Sequence, residues 1–225
     1  MSSPPKWPRG VESFLAQDTT AYVLNKYPVA HPPGTAWNYT DADAQLLSAA
    51  FSALTGQSLE AYAAEQLFPA LGITDWTWAS DGAGVSIGGT LLELTARDMA
   101  KFGYLYLNQG RWDGQQIIPV AWVEQSTTPQ GDGFYVPTGE TMPIEFYGYF
   151  WWLWKPDWFH GHRAIHARGY GGQWIDIFPD LDLIVVSTTN GEVDRAGDTA
   201  QETAIDTLIW EDILLALKGV TATPR

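Results

Sequence analysis

The sequence predicts an α+β fold of the α/β-sandwich type, and three observations carry that expectation. Apolar residues recur at helical spacing from residue 11 to about residue 123, the period falls to two after residue 146, and an amphipathic stretch over 198–217 ends the pattern. Helices first, then an antiparallel meander closed by a helix, make packed layers rather than alternating βαβ units. At 225 residues and 45% hydrophobic content, the chain has enough apolar surface for one sizeable core. The expected organisation is a single domain over 1–225, with a helical region at about 28–146 and a sheet and helix at about 147–217.

The elements follow in order. Val11, Phe14, Leu15, Tyr22 and Val23 mark a helix over 11–26 that ends before Pro28, and His31-Pro32-Pro33-Gly34-Thr35 is a turn by its Pro and Gly chemistry. A helix over 42–54 places Leu46, Leu47, Ala50, Phe51 and Leu54 on one face, with Asp41 as its expected cap and Gly56 as its stop. Ser58 caps the next helix, 59–70, which carries Leu59, Tyr62, Ala63 and Leu67. Thr95-Ala96-Arg97-Asp98 has the form of a capping box and opens a helix to Leu107 with Met99, Phe102 and Leu105 inward. A short helix starts at Pro119. Strands are expected at 147–155, 163–168, 173–178 and 183–189, with Pro179-Asp180-Leu181-Asp182 turning the last two into a hairpin. In the final helix Ala204, Leu208, Ile209, Ile213 and Leu217 are spaced for one buried face.

Composition excludes several classes of function. Twelve Lys and Arg against 26 Asp and Glu give a net charge of −14, a field that repels phosphate backbones, so no nucleic-acid partner is expected. No basic cluster or apolar run near the ~18 residues of a span points to a membrane, and the opening MSSPPKWPRG does not read as a signal peptide. The absence of cysteine removes disulfides, thiolate metal sites and a Cys nucleophile together. Twelve Trp point to a wide aromatic cleft or an aromatic core, the core being the commoner fate of Trp.

Several segments carry a family resemblance. Pro33-Gly34-Thr35-Ala36-Trp37-Asn38-Tyr39-Thr40-Asp41 resembles the Pro-Gly-Thr…Tyr-x-Asn segment of the serine β-lactamase and penicillin-binding-protein superfamily, in its class C-like branch of β-lactamases, esterases, DD-peptidases and 6-aminohexanoate-oligomer hydrolases. Leu67-Phe68-Pro69-Ala70-Leu71-Gly72-Ile73, Leu94 to Gly103 and Gly110-Arg111-Trp112-Asp113-Gly114 resemble further segments of that branch, and Ala167-Arg168-Gly169-Tyr170-Gly171-Gly172-Gln173 resembles its variant of the Lys-Thr-Gly strand. The likeness covers residues 10 to 217 in the family's order. It implies a β-lactamase-like fold and a serine hydrolase that cleaves amide or ester bonds of a small molecule through an acyl-enzyme, with no cofactor and no metal.

That chemistry needs a Ser-x-x-Lys on a helix N-terminus, a Tyr that relays the serine proton, and two backbone N–H groups that hold the oxyanion. The resemblance makes Tyr39 the base and places Asp41 where the family usually has Asn, touching the Lys and the substrate amide. It makes the backbone N–H of Tyr170 one oxyanion donor. Arg168, Gly169 and Trp37 are then expected to touch substrate, together with Trp151, Trp152 and Trp154 as cleft-lining candidates. Ala167 and Arg168 stand where the family has Lys and Thr, which weakens the case for a β-lactam carboxylate and leaves Arg168 as the expected positive charge.

The nucleophile is the element that does not match. In the family the resemblance points to, Ser-x-x-Lys lies well upstream of the Tyr motif, behind an earlier pair of strands, and this chain is expected to lack that N-terminal part. The literal Ser3-Pro4-Pro5-Lys6 comes only 36 residues before Tyr39. Its Pro-Pro pair enforces an extended path of ~9 Å over three residues, against ~4.5 Å in a helix, so Lys6 cannot sit beside the Ser3 hydroxyl. Without an ammonium nearby, a phenol of pKa about 10 is a weak base at neutral pH. Little turnover is therefore expected from this chain alone. The alternatives are a non-catalytic interaction module, self-associating through an exposed sheet edge, and an esterase built on Ser86 in Gly84-Val85-Ser86-Ile87-Gly88. That pentapeptide lacks the helix that should follow a nucleophile elbow, and reads first as a glycine loop. His160, His162 and His166 have metal-like spacing but no completing carboxylate within the segment, and read first as surface histidines. No acid among the 26 is singled out for a glycosidase-type pair, and Asn38-Tyr39-Thr40 is a formal sequon that competes with the role of Tyr39.

Overall fold

The structure is a computed structural model that describes residues 17–27, 32, 39–130, 144–154, 156–190 and 195–217. The chain forms two compact units, Met1–Thr95 and Ala96–Arg225.

In the first unit, helix α1 (Thr19–Lys26) starts where the Asp18 carboxylate accepts the N–H of Ala21 at 2.7 Å. The expected residues 11–16 of that helix lie outside the described residues, as does the turn at 31–35 apart from Pro32. Helix α2 (Asp41–Thr55) ends at Gly56, whose φ of 74° suits a residue without Cβ. Its cap differs from expectation. Thr40, not Asp41, is the N-cap, its hydroxyl accepting the N–H of Ala42 at 3.1 Å, and Asp41 is the first helical residue. Helix α3 (Leu59–Tyr62) is capped by Ser58 as expected and runs on through a π-turn over Ala63–Leu67. Strands β1 (Trp76–Trp78) and β2 (Leu92–Leu94) pair antiparallel, and the loop between them returns to α2.

That return decides which face of α2 is buried. The Ser48 hydroxyl donates to the carbonyl of Ser86 at 2.6 Å, and the Gln45 side-chain carbonyl accepts the N–H of Gly88 at 3.0 Å. A Cβ on Gly88 would fall 2.2 Å from the Ala44 carbonyl oxygen, so only glycine lets the backbones approach this closely. Gln45 and Ser48 are therefore the buried side chains. The expected apolar face is buried only in part: Leu46 and Phe51 are half-buried, whereas Leu47 is 58% exposed and Leu54 87%.

In the second unit, α4 (Ala96–Leu107) precedes a small hairpin of β3 (Arg111–Trp112) and β4 (Gln115–Gln116), and α5 (Val120–Ser126) follows Pro119. A five-stranded antiparallel meander comes next: β5 (Ile144–Tyr147), β6 (Trp152–Trp154), β7 (Ala164–Gly169), β8 (Gln173–Phe178) and β9 (Leu183–Ser187), hydrogen-bonded in that order. The strand expected over 147–155 is two strands, because the chain turns where Gly148 N–H reaches Trp151 O and Tyr149 N–H reaches Ser126 O. The sheet is closed by α6 (Arg195–Thr207), a π-turn over Leu208–Ile213 and a last turn α7 (Leu214–Ala216).

Alternation assigns the two faces of this sheet. Leu153, Ile165, Ile175, Ile177, Ile184 and Val186 meet Met99, Phe102 and Tyr106 of α4. Trp154, Ala164, Phe178, Leu183 and Val185 meet Ile205, Ile209, Trp210 and Leu214 on the other side. The π-turn puts an extra residue into the final helix and shifts its buried face. Ile209 and, five residues on, Leu214 are buried in consequence, with Ile213 only half-buried; Ala204 and Leu208, expected inward, are exposed ahead of the shift. Helices and antiparallel sheet thus form the α+β layering that the sequence predicts.

Candidate active site

The first candidate group lies at the start of α2. Tyr39 immediately precedes the Thr40 cap, and its side chain is 49% exposed. Partial burial holds its phenol above the usual value of 10, and the negative charge of Asp41 adds to that. Burial also raises the carboxyl of Asp41. In this arrangement Tyr39 keeps its proton at neutral pH. A general base at this position needs a cation brought beside it.

The second group is the turn between β7 and β8. Gly171 and Gly172 have φ of 75° and 91°, which favours glycine at both positions of the turn, and a Cβ on Gly172 would lie 2.4 Å from the Cδ1 of Ile205, whose side chain would have to shift. The carbonyl of Gly169 accepts from Gly172 N–H at 3.3 Å and from the Trp174 indole N–H at 3.2 Å. The Asp198 carboxylate accepts the N–H of Gly171 at 2.6 Å, and the carbonyl of Gly171 accepts from the Thr189 hydroxyl and, at 3.2 Å, from the Gln201 amide. The Ser187 hydroxyl donates to the carbonyl of Gly172 at 2.8 Å.

Arg168, expected to meet substrate, has protein partners instead. Its guanidinium donates to Asp206 at 2.8 Å and to Asp176 at 3.3 Å, and stands 3.6 Å over the Trp174 ring and 4.3 Å over Trp154. Asp176 also meets His166 Nδ1, directly opposite it in the β7–β8 register. His166 is fully buried, not a surface residue, and that burial depresses its imidazole while Asp176 opposes the shift, so it is neutral. Trp154, His166, Arg168, Trp174 and Asp176 all lie on the α6 side of the sheet. Trp154, His166 and Arg168 were expected singly and in other roles, not as one row with Trp174 and Asp176. Its signal was available, as polar residues at a period of two in adjacent, otherwise apolar strands.

The remaining candidates separate. Trp37 lies outside the described residues, as do Ser3 and Lys6. Trp151 and Trp154 are buried in the core, with Trp151 against Tyr106 and Trp152 half-buried beside Tyr147, so they do not line a cleft. Ser86 is fully buried. Its hydroxyl accepts the N–H of Glu60 at 3.1 Å, and the residue bridges Ser80 rather than standing on a strand–helix elbow. His160 and His162 occupy the turn before β7, not a strand, with ring nitrogens on the carbonyl of Trp210 at 3.1 Å and on Asp180 at 2.5 Å. Among the described residues no group of three His, Asp or Glu side chains is placed to hold a metal ion, and no helix is long and apolar enough to cross a membrane.

Helices packed on an antiparallel meander, with a glycine turn between β7 and β8, agree with a β-lactamase-like fold. The chain matches the Beta-lactamase family over residues 3–208 and belongs to it. Solved structures agree in fold. A Bacillus anthracis protein assigned as a 6-aminohexanoate-dimer hydrolase matches at TM-score 0.66 and 24% identity, over 85% of this chain and 47% of that one. The octameric penicillin-binding protein homologue from Pyrococcus abyssi matches at TM-score 0.59 and 20% identity, over 95% and 53%. A Bacteroides dorei protein assigned as a β-lactamase matches at TM-score 0.61 and 18% identity, over 93% and 69%. The chain thus spans about half the length of the first two. No curated protein is matched.

Proposed function

We propose that this chain carries the general-base and oxyanion parts of an acyl-enzyme hydrolase for small amides or esters, and that it turns over little by itself. The family match over residues 3–208 carries the reading. Tyr39 is the relay base, Asp41 orients it and meets the substrate amide, and the Tyr170 N–H is an oxyanion donor, with Gly169 giving the acyl group room beside it. Arg168 is not assigned to substrate, since Asp176 and Asp206 hold its guanidinium. The raised phenol of Tyr39 supports the low turnover, because a base of this kind works only where an ammonium favours its phenolate.

Intact mass and peptide mapping after a serine-directed phosphonate should show no adduct on folded protein. Saturable turnover of a nitrophenyl ester that is lost in Tyr39→Phe would overturn the claim of low activity, and an adduct on Ser86 would replace the whole assignment.

A second reading, self-association, is favoured by the exposure of Leu47 and Leu54, seven residues apart on α2, and by the outer strands β5 and β9 of the meander. Sedimentation across a hundredfold range of concentration separates it from a monomer.

A further inference from the structure

We propose that the acidic face of α6, formed by Asp198, Glu202 and Asp206, is a pH-sensitive positioning device for the β7–β8 turn that sets the direction of the Tyr170 backbone N–H. The role given to that N–H rests on the function proposed above; the device itself rests on contacts within the second unit.

The three carboxylates recur every four residues, so they line one side of the helix. The first and last act on opposite ends of the turn. Asp198 takes the N–H of Gly171, and Gln201, on the next turn of the helix, donates to the carbonyl of the same residue and to that of Asn190 at 3.1 Å. Asp206 acts through a relay. It holds Arg168, the Arg168 guanidinium stands over the Trp174 ring, and the Trp174 indole N–H donates to the carbonyl of Gly169. That carbonyl and the Tyr170 N–H belong to one peptide plane. In a trans peptide they point in opposite directions, so fixing the oxygen of Gly169 fixes the direction of the Tyr170 N–H. Asp198 pins the adjoining peptide at its own N–H, which leaves the turn little freedom to rotate.

Glu202 lies between the two anchors. Burial, and then the charge of Asp198, push its carboxyl up to about 7; Arg168 opposes the rise and Asp206 adds to it. Burial raises Asp206 as well, against the pull of Arg168. Among the described residues, the other charged or titratable groups on this side of the sheet are Arg168 and the neutral His166 from β7, Asp176 from β8 and Tyr147 from β5; β9 contributes Leu183, Val185 and Ser187. Below pH 7 Glu202 is neutral, and Asp198 and Asp206 act with Arg168 between the helix and the sheet. Above it, a third negative charge repels both anchors and competes for Arg168. The turn is held best on the acid side of neutrality.

The test follows the Tyr170 and Gly171 amides and the Trp174 indole N–H of the full chain by proton–nitrogen NMR from pH 5.5 to 8.5. The three signals are expected to move with one midpoint near 7 in the native protein and to stay flat in Glu202→Gln. Asp198→Asn should speed exchange of the Gly171 amide proton roughly tenfold, the loss of about one charge-assisted hydrogen bond. Signals that are flat in the native protein, or that titrate unchanged in Glu202→Gln, overturn the proposal. Should Asp198→Asn not fold, the native titration and the isosteric Glu202→Gln decide it alone. None of these signals depends on turnover. A positive titration beside an adduct on Ser86 would keep the device and discard the proposed hydrolase assignment, and a flat titration beside Tyr39-dependent chemistry would do the reverse.

Discussion

Two glycine turns in this protein are held against helices by opposite means. The loop around Ser86–Gly88 meets α2 and α3 through neutral hydrogen bonds from Ser48, to Gln45 and from Glu60. The turn at Gly169–Gly172 meets α6 through charges: Asp198 on Gly171, and Asp206 on Arg168. Neutral bonds hold with the same strength across the physiological pH range, whereas a ladder of carboxylates around one guanidinium responds to every proton it gains or loses. The first arrangement suits a scaffold. The second suits a strand whose backbone must be aimed.

The largest effect expected from breaking this comparison is at Arg168. Arg168→Met leaves Asp176, fully buried, and Asp206 without their shared cation, which should cost about 3–5 kcal/mol in urea or thermal unfolding. The deficit should shrink as pH falls, because Asp206 and Glu202 already bind protons more readily in the folded protein than in the unfolded chain. The native protein should show the same sign on a smaller scale. A carboxyl raised to about 7 contributes stability that is complete below its unfolded value of 4.5 and is lost as pH rises through 7. Glu202→Gln should therefore flatten the stability profile between about pH 4.5 and 7. A profile unchanged by that variant would mean that the ladder is screened by solvent.

The neutral turn should behave differently. Ser86→Ala removes the acceptor of the Glu60 N–H and should cost about 1–3 kcal/mol, with no pH dependence between 5 and 8. The same variant bears on function. A nucleophilic Ser86 would lose its phosphonate adduct on this change, whereas a Ser86 that serves the scaffold has no adduct to lose.

The two regions also differ in how far their sequence revealed them. In the meander, β7, β8 and β9 fall within two residues of the expected strands, since a period of two assigns every side chain to a face once the hairpin at Pro179–Asp182 sets the register. The charged row on that sheet was missed although its pattern was visible. His166, Arg168 and Asp176 alternate with apolar neighbours, and only pairing across strands reveals that they meet. On α2 the periodicity pointed to Leu46, Leu47, Ala50, Phe51 and Leu54, of which Leu46 and Phe51 are half-buried, whereas the fully buried side chains are Gln45 and Ser48. A distant glycine made that choice, because Gly88 alone lets the loop close on Ala44, and nothing local to the helix records it. The π-turns at Ala63–Leu67 and Leu208–Ile213 are illegible for a similar reason, since a single extra residue per turn leaves no composition signal. Of the candidate site, the positions of Tyr39 and Asp41 at a helix start and of Tyr170 in a glycine turn were legible from motifs. The commitment of Arg168 to Asp176 and Asp206 was not, because both partners are distant in sequence.

The smallest effect belongs to the start of α2, and it separates two adjacent residues. Thr40→Ala removes the cap hydroxyl from the Ala42 N–H and should cost about 1 kcal/mol. Asp41 makes no capping bond. As the first helical residue it adds only its charge beside the positive helix end, so Asp41→Asn should change stability by about 0.3–1 kcal/mol and less at high salt. Urea melts of the two variants at low and high salt test this ordering. If Asp41→Asn proves the costlier change, its carboxylate is a structural group after all. If the ordering holds, the Asp41 carboxylate is not needed to start the helix, and the fold leaves it available for the role proposed for it above.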